Sequence, residues 1–342
     1  MFILAPIGWL YGRAIDLRNV LYDRGILKSY DLGARTISVG NLTTGGTGKT
    51  PLVAHIAKIL AENGEKVCIL TRGYGRRNEN ERVLVSDGKS VLVDAKTGGD
   101  EPVELARKLL GKAIVVADAD RVAAAKWANE NFEITAFILD DSFQHRRVKR
   151  NIDIVCIDAT DPFGNGKSLP SGNLRESSIG LGRAGAIVFT RVEQAVDVDA
   201  LQKKIREIDA EALIFSARTQ IVRTKRLEDF QATPEGLSNE NPTSAFAFCG
   251  IGNPASFDSS LRAVGIEPLG AYSLADHVWY EQATIKKIEA EAKNTGAESL
   301  VTTAKDAVKL KDLNFTLPCF VAEIETVVDE ADEFRRLILT SS

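Results

Sequence analysis

The chain has 342 residues, 44% hydrophobic and 26% charged, the balance of a folded globular protein of two domains or one large α/β unit rather than of a disordered chain. Forty-three basic residues against 47 acidic ones leave a net charge of −4, which argues against bulk electrostatic binding to nucleic acid. No apolar run approaches the roughly 18–20 residues of a membrane-spanning helix; Cys68, Cys156, Cys249 and Cys319 lie too far apart for a Cys-x-x-Cys pair and read as buried thiols of a reducing cytosol.

At the N-terminus, Met1 to Leu10 is apolar, but no basic residue precedes it and no Ala-x-Ala site follows promptly, so no secretory leader is expected. After Pro6, the residues Leu10, Ala14, Leu17 and Leu21 recur 4, 3 and 4 positions apart, one stripe of a helix. Trp9 and Tyr11 stand at its start, and Arg13, Arg18, Arg24 and Lys28 are interleaved. Two readings fit residues 1–28: a helix packed on the core, or an interfacial helix with aromatics at headgroup depth and arginines on lipid phosphates. The pattern alone does not choose.

Downstream, short β-branched runs alternate with amphipathic stretches, which predicts an α/β fold with a mostly parallel sheet and helices on both faces. The predicted strands are Thr36–Val39, Lys66–Leu70, Ala113–Ala117, Thr135–Leu139, Asp153–Ile157, Ala186–Thr190, Leu213–Ser216, Ala245–Cys249, Ser299–Thr302 and Cys319–Ala322. Between them fall predicted helices at Pro51–Glu62, Glu101–Leu110, Arg121–Asn131, Ala200–Ile208, Pro254–Val264, Tyr280–Asn294 and Glu330–Leu339. Val83–Val85 and Val91–Val93, split by Ser86-Asp87-Gly88-Lys89, read as a β-hairpin insertion. The polar stretch Thr224–Thr243, with Pro234, Gly236 and Pro242, reads as the connection between two halves.

The strongest signal is a strand running into a Gly-rich turn, Val39-Gly40-Asn41-Leu42-Thr43-Thr44-Gly45-Gly46-Thr47-Gly48-Lys49-Thr50-Pro51. Glycines let successive N–H groups curl round a phosphate, and the helix that follows adds its positive end. Lys49 is placed to reach the β/γ-phosphates and Thr50 to ligate Mg²⁺. Thr43 stands where the strict P-loop pattern has its first Gly.

Such a loop needs an acidic partner at another strand end. Asp140 and Asp141 close an apolar run and are followed by the polar cluster Ser142-Phe143-Gln144-His145-Arg146-Arg147; Asp158 is the rival. Three further clusters bear on chemistry: Gly99-Asp100-Glu101-Pro102, where Asp100 also suits an N-cap, the loop Leu169–Glu176 with Arg175, and Asp276-His277.

Among P-loop classes, a GTPase needs an Asn/Thr-Lys-x-Asp element, and Ala304-Lys305-Asp306-Ala307 fails it at both ends. Dimeric ATPase switches often carry a second Lys in the loop, where Thr44 stands here. A small-molecule kinase is left, with a P-loop ATPase or GTPase switch such as a metal-insertion chaperone as the alternative.

The motifs taken together resemble the tetraacyldisaccharide 4′-kinase family of lipid A biosynthesis over nearly the whole chain. The resemblance runs through Tyr11-Gly12, the Gly45–Pro51 loop, Arg72-Gly73-Tyr74-Gly75-Arg76, Gly99–Pro102, Asp120-Arg121, Asp140-Asp141 with Phe143-Gln144-His145-Arg146, Pro170–Glu176, Gly250-Ile251, Asp276-His277 and Thr302-Thr303 with Lys305-Asp306. Ser142, Asn173, Val278 and Ala304 depart from the family's usual Gly, Pro, His and Glu. The resemblance implies a P-loop kinase core at 29–225, a smaller C-terminal α/β half at 244–342, and a membrane-docking helix at 1–28. It implies transfer of the γ-phosphate of ATP to the 4′-hydroxyl of a tetraacyl-disaccharide 1-phosphate, with Mg²⁺, by a cytoplasmic enzyme at the inner-membrane surface. Asp100, His277, Lys49 and Asp141 are the implied catalytic residues, with Asp100 and His277 expected to pair across a cleft; whether Asp100 or Asp141 is the base stays open. Implied nucleotide contacts are Thr43, Thr44, Gly45, Gly46, Thr47, Gly48, Lys49, Thr50, Arg121, Gln144, His145 and Arg175. The implied metal set is Thr50, Asp140, Glu101 and Glu176.

Overall fold

The computed structural model describes residues 4–232 and 239–341, so Pro234 and Gly236 of the expected connection lie outside the described residues. In chain order the elements are α1 (Leu4–Asp23), β1 (Arg35–Asn41), α2 (Lys49–Glu62), β2 (Val67–Thr71), β3 (Val83–Ser86), α3 (Ala95–Gly98), α4 (Asp100–Lys108), β4 (Ala113–Ala117), α5 (Arg121–Asn131), β5 (Ala136–Asp140) and β6 (Ile152–Asp158). There follow β7 (Ala186–Thr190), α6 (Val198–Ile208), β8 (Ile214–Arg226), α7 (Leu227–Ala232), β9 (Ala245–Cys249), α8 (Pro254–Ala263), β10 (Ala271–Ser273), α9 (Gln282–Asn294), β11 (Ser299–Thr303), α10 (Ala304–Ala307), β12 (Cys319–Val328) and α11 (Ala331–Thr340).

One twelve-stranded sheet runs through both halves in the order β10-β9-β11-β12-β8-β7-β6-β1-β5-β2-β4-β3. Its pairs are parallel except β3 with β4 and β8 with β12. Strands β2, β5, β7 and β9 are buried at every residue, which is why their sequences are almost unbroken apolar runs. In the first half α2 and α4 cover one face, with Ile56 and Val103 packed among Ile37, Val39 and Ile138. The other face carries α5 over Phe137 and Leu139, and α6 over Val155 and Phe189. The second half repeats the arrangement with α9 on Phe248 and Leu300, and α8 on Ala247 and Val301.

Three expectations are corrected. The hairpin shrinks to β3, which pairs with β4, and a single bridge from Ser86 to Val91, because the sheet edge offers β3 a longer partner than its own return strand. The short run expected at Leu213–Ser216 continues through Thr224 as the thirteen-residue β8, paired antiparallel with β12 from Ala217–Val328 to Arg226–Phe320. From Phe215 to Val222 its burial alternates, with Arg218 and Gln220 on the open side of the ribbon, so the run is not a continuous apolar one in sequence. Finally, α11 was expected with the C-terminal half, yet Phe334 and Ile338 enter the first half's core beside Phe215 and Val328.

Candidate active site

Four parallel strands of the first half end at one cleft, as ligand sites of open α/β sheets do. β1 delivers the Gly-rich loop, β2 ends in Thr71 and Arg72, β5 in Asp140 and Asp141, and β7 in Thr190 and Arg191. The second half closes over them with Ile251, Asp276, His277 and Lys305, leaving a cavity of about 290 Å³.

Gly48 takes the left-handed conformation (φ 77°) at the N-cap of α2, which turns the chain so that Lys49 opens the helix. The cradle is anchored beneath: Asn41 donates to Thr47 Oγ1 at 2.9 Å, and Thr190 Oγ1 donates to the Thr47 carbonyl at 3.1 Å. Thr43 and Thr44, expected among the nucleotide contacts, do not line the cavity. Thr43 forms a bridge with Leu174, and the Thr44 N–H is taken by the Asn173 carbonyl at 2.8 Å. The missing first glycine is thus explained: the curl begins at Gly45, and Thr43 is still held in an isolated bridge past the end of β1. Gly45 to Thr50 all face the cleft.

Asp141 is held by Lys49 at 3.5 Å and by both oxygens on Arg175 at 2.9 and 2.8 Å. Burial opposes its ionisation, but Lys49 and Arg175 keep its carboxyl below the usual range. Its neighbour Asp140 is 2% exposed. Burial first, then the charges of Glu101 and Asp141, pushes Asp140 up to about 7. Asp140 Oδ2 accepts from Thr71 at 3.1 Å, while Oδ1 is buried with no hydrogen-bond partner. An orphaned carboxylate oxygen, on a residue that lines the same cleft as Thr50, is what a divalent cation relieves. Among the described residues no group of three or more His, Cys, Asp or Glu could hold a metal alone. The donor set therefore fits Mg²⁺, which takes one or two protein oxygens together with phosphate.

On the facing wall His277 Nδ1 lies 3.0 Å from Asp100 Oδ2. That hydrogen bond raises the imidazole pKa above its ordinary value, against burial and the Lys305 charge. Burial works against the Asp100 carboxylate, yet His277 and Lys305 hold it below its ordinary value. Lys305 joins the halves again, 2.8 Å from Glu101 and 3.0 Å from Asp276. His277 (φ 59°) and Asp141 (φ 48°) are two of the four non-glycine residues with left-handed φ among the described residues, and both face the cleft. Backbone strain of this kind gathers at functional sites.

Other expected site residues lie outside the cavity. Arg121 is buried behind β5, donating to the carbonyls of Asp118 at 2.7 Å and Asp140 at 3.4 Å. Gln144 donates to the Asn41 carbonyl and to Glu176, both at 2.9 Å. His145 is pushed down to about 4 by burial and by the Arg121, Arg150 and Arg18 charges. Glu176, expected as a metal ligand, is 1% exposed with its oxygens taken by Asn19, Gln144 and Arg183. Asp158, the rival acid, is paired with Arg191. Arg191, Ser256 and Asn253 line the cleft without having been singled out; Arg191 follows β7 directly, and the strand-end rule applied to every predicted strand would have found it.

Comparison with known proteins agrees over the full chain. The family model described as tetraacyldisaccharide-1-P 4′-kinase matches residues 1–342. The tetraacyldisaccharide 4′-kinase of Desulfotalea psychrophila is 38% identical, covering 98% of this chain and 96% of the relative. That of Geobacter metallireducens is 38% identical over 90% of this chain and 88% of the relative. The crystal structure of LpxK from Aquifex aeolicus, solved in complex with ATP, superposes with a TM-score of 0.74 at 30% identity, covering 99% of this chain and 98% of that one. With the family model matched from end to end and relatives aligned over nearly their whole length, the chain belongs to the tetraacyldisaccharide-1-P 4′-kinase family.

Proposed function

We infer that this protein is an ATP-dependent lipid-sugar kinase that phosphorylates the 4′-hydroxyl of a tetraacyl-disaccharide 1-phosphate in lipid A biosynthesis. Family membership supports this over the P-loop switch alternative. The observation that carries it is that His277, hydrogen-bonded to the buried Asp100, lines the same cleft as Lys49 and Asp141, since a bare nucleotide switch has no use for an acceptor base.

Gly45 to Gly48 cradle the phosphates, and Lys49 neutralises charge that develops on the transferred group. Thr50 and Asp140 would hold Mg²⁺, which would supply further charge neutralisation at the transferred phosphate. With Nδ1–H donated to Asp100, His277 Nε2 takes the proton of the sugar hydroxyl. The hydroxyl oxygen bonds to the γ-phosphorus as the bond to the bridging β,γ-oxygen breaks, and ADP leaves. Asp141 serves as counter-ion that orients Lys49 and Arg175.

The acceptor's acyl chains stay in lipid, so the enzyme works as a cytoplasmic protein docked on the inner-membrane surface. Trp9, Leu10 and Leu17 of α1 are 68%, 64% and 60% exposed, while the same helix turns Gly8 and Asn19 inward. An apolar stripe facing out supports an interfacial helix over a core helix. Among the described residues no helix is long and apolar enough to cross a membrane. The test is incubation with ATP, Mg²⁺ and the lipid acceptor: a bis-phosphorylated lipid by mass spectrometry is expected, and bare hydrolysis would point to the switch.

A further inference from the structure

We propose that α1 is a strut of the catalytic site as well as a docking helix, with Arg18 and Asn19 as positioning residues for Asp141 and Arg175. The inference rests on the kinase reading of those two residues. The less exposed side of α1 carries Arg18 and Asn19 among Gly12, Ile15 and Leu21, and both polar side chains are spent on the core domain. Arg18 donates to the Gln144 carbonyl at 3.0 Å, and Asn19 donates to Glu176 Oε2 at 3.0 Å. Arg146 returns the contact, donating to the Asn19 carbonyl at 2.9 Å and to Asp23 at 2.6 Å. The Arg18 and Arg146 guanidinium groups lie 5.3 and 5.4 Å from the Tyr22 ring centroid.

These contacts fall on two loops that carry the site. Gln144 stands three residues after Asp141, and Glu176 follows Arg175 directly. Gln144 bridges the loops through Glu176 and reaches the Asn41 carbonyl at the root of the phosphate loop. The Arg175 N–H is tied to the Leu42 carbonyl at 2.7 Å, so the second loop is registered against β1 as well. The helix is also seated at close range: a Cβ on Gly8 would fall 2.5 Å from Ser171 Oγ. Asp141 holds a left-handed φ of 48°, a conformation that persists only where its surroundings over-determine it. The α1 contacts supply part of that constraint from the side opposite the nucleotide. An anchor alone needs none of these inward hydrogen bonds. A strut does, because displacement of a reacting group by about 1 Å costs up to a hundredfold in rate.

The experiment measures kcat and KM for ATP and for the lipid acceptor in mixed micelles, where docking is not limiting. Proteins compared are Arg18→Ala, Arg18→Lys, Asn19→Ala, Glu176→Ala and the Asn19→Ala/Glu176→Ala double variant, each with a thermal melt. The expected result is a fall in kcat of about tenfold for Arg18→Ala and Asn19→Ala with KM for both substrates little changed. Arg18→Lys, which keeps an N–H donor for the Gln144 carbonyl, should recover most of the loss. The double variant should be little slower than Glu176→Ala, because Asn19 acts through that carboxylate. Unchanged kcat in both alanine variants, a rise confined to the lipid KM, or additive losses in the double variant would each overturn the strut. If Lys49→Ala in the same assay keeps full turnover, the kinase reading of the site fails instead, so the two failures are distinguishable.

Discussion

Asp100, the first residue of α4 in the N-terminal half, and His277, in the loop before α9 of the C-terminal half, lie 177 residues apart in sequence and 3.0 Å apart in space. The two halves of the molecule contribute one residue each, so the pair depends on how they pack together. Lys309, fully buried in the C-terminal half and 3.6 Å from Asp100, and the Lys305–Glu101 ion pair reinforce the same junction.

A base shared between two residues gives non-additive losses. Asp100→Ala and His277→Ala should each lower kcat by about a hundredfold or more, and the double variant should be little worse than the worse single one. Thermal melts separate this from unfolding. Additive losses, or normal turnover in His277→Ala, would defeat the dyad and leave the kinase assignment standing.

The pH profile carries a sign. His277 must be neutral to accept a proton, so kcat should rise with pH through an imidazole pKa that the Asp100 hydrogen bond places above the ordinary value. Asp100→Asn removes the carboxylate charge and should move that acid limb to lower pH while lowering the plateau. A limb that stays in place would assign the titration to another group. The same linkage stabilises the closed fold at pH below the free imidazole value, and the contribution is lost as pH rises through the folded value.

At the nucleotide site, Lys49→Ala and Asp140→Ala should each reduce kcat by about a hundredfold or more, because each removes charge stabilisation from the transferred phosphate or its cation. The P-loop assignment does not survive a Lys49→Ala enzyme with near-normal turnover.

Docking is best tested on the outer face of α1 alone. Deleting residues 1–24 would also remove Arg18 and Asn19 from the catalytic loops, mixing two effects. Leu10→Ser with Leu17→Ser changes only exposed side chains and should weaken sedimentation with anionic vesicles while leaving the melting temperature within a few degrees. Undiminished vesicle binding would remove the apolar stripe as the docking element.

The placement of α11 predicts a stability effect far from the chain's own C-terminal half. Phe334 packs edge-on to Phe215 with ring centroids 5.2 Å apart and is fully buried in the core that holds α2. Phe334→Ala should cost about 3–5 kcal/mol by denaturant unfolding. A loss under about 1 kcal/mol would mean that α11 is not part of that core.

Periodicity and turn chemistry carried much of this reading. Buried parallel strands betray themselves as apolar runs, and the Gly45–Pro51 loop has a sequence because its backbone conformation demands one. Lys49, Asp140, Asp141 and Asp100 each stand at a strand end or a helix start, where residue type follows from local geometry; His277, in the loop between β10 and α9, stood out only through its neighbour Asp276 and the family motif. What the sequence could not hold were the decisions made by partners distant in the chain. β8 reads only as a four-residue strand at Leu213–Ser216, with its last residues inside the expected connection, until β12 pairs with it and extends it to Arg226. Glu176, Gln144 and Arg121 have the residue types of a phosphate or metal site, yet neighbours as remote as Asn19 and the Asp140 carbonyl occupy their polar atoms. The outward turn of Leu10 and Leu17 was equally undetermined. One helical stripe is the same pattern whether it faces a core or a bilayer, and only the polar hydrogen bonds on the opposite side of α1 fixed which way it points.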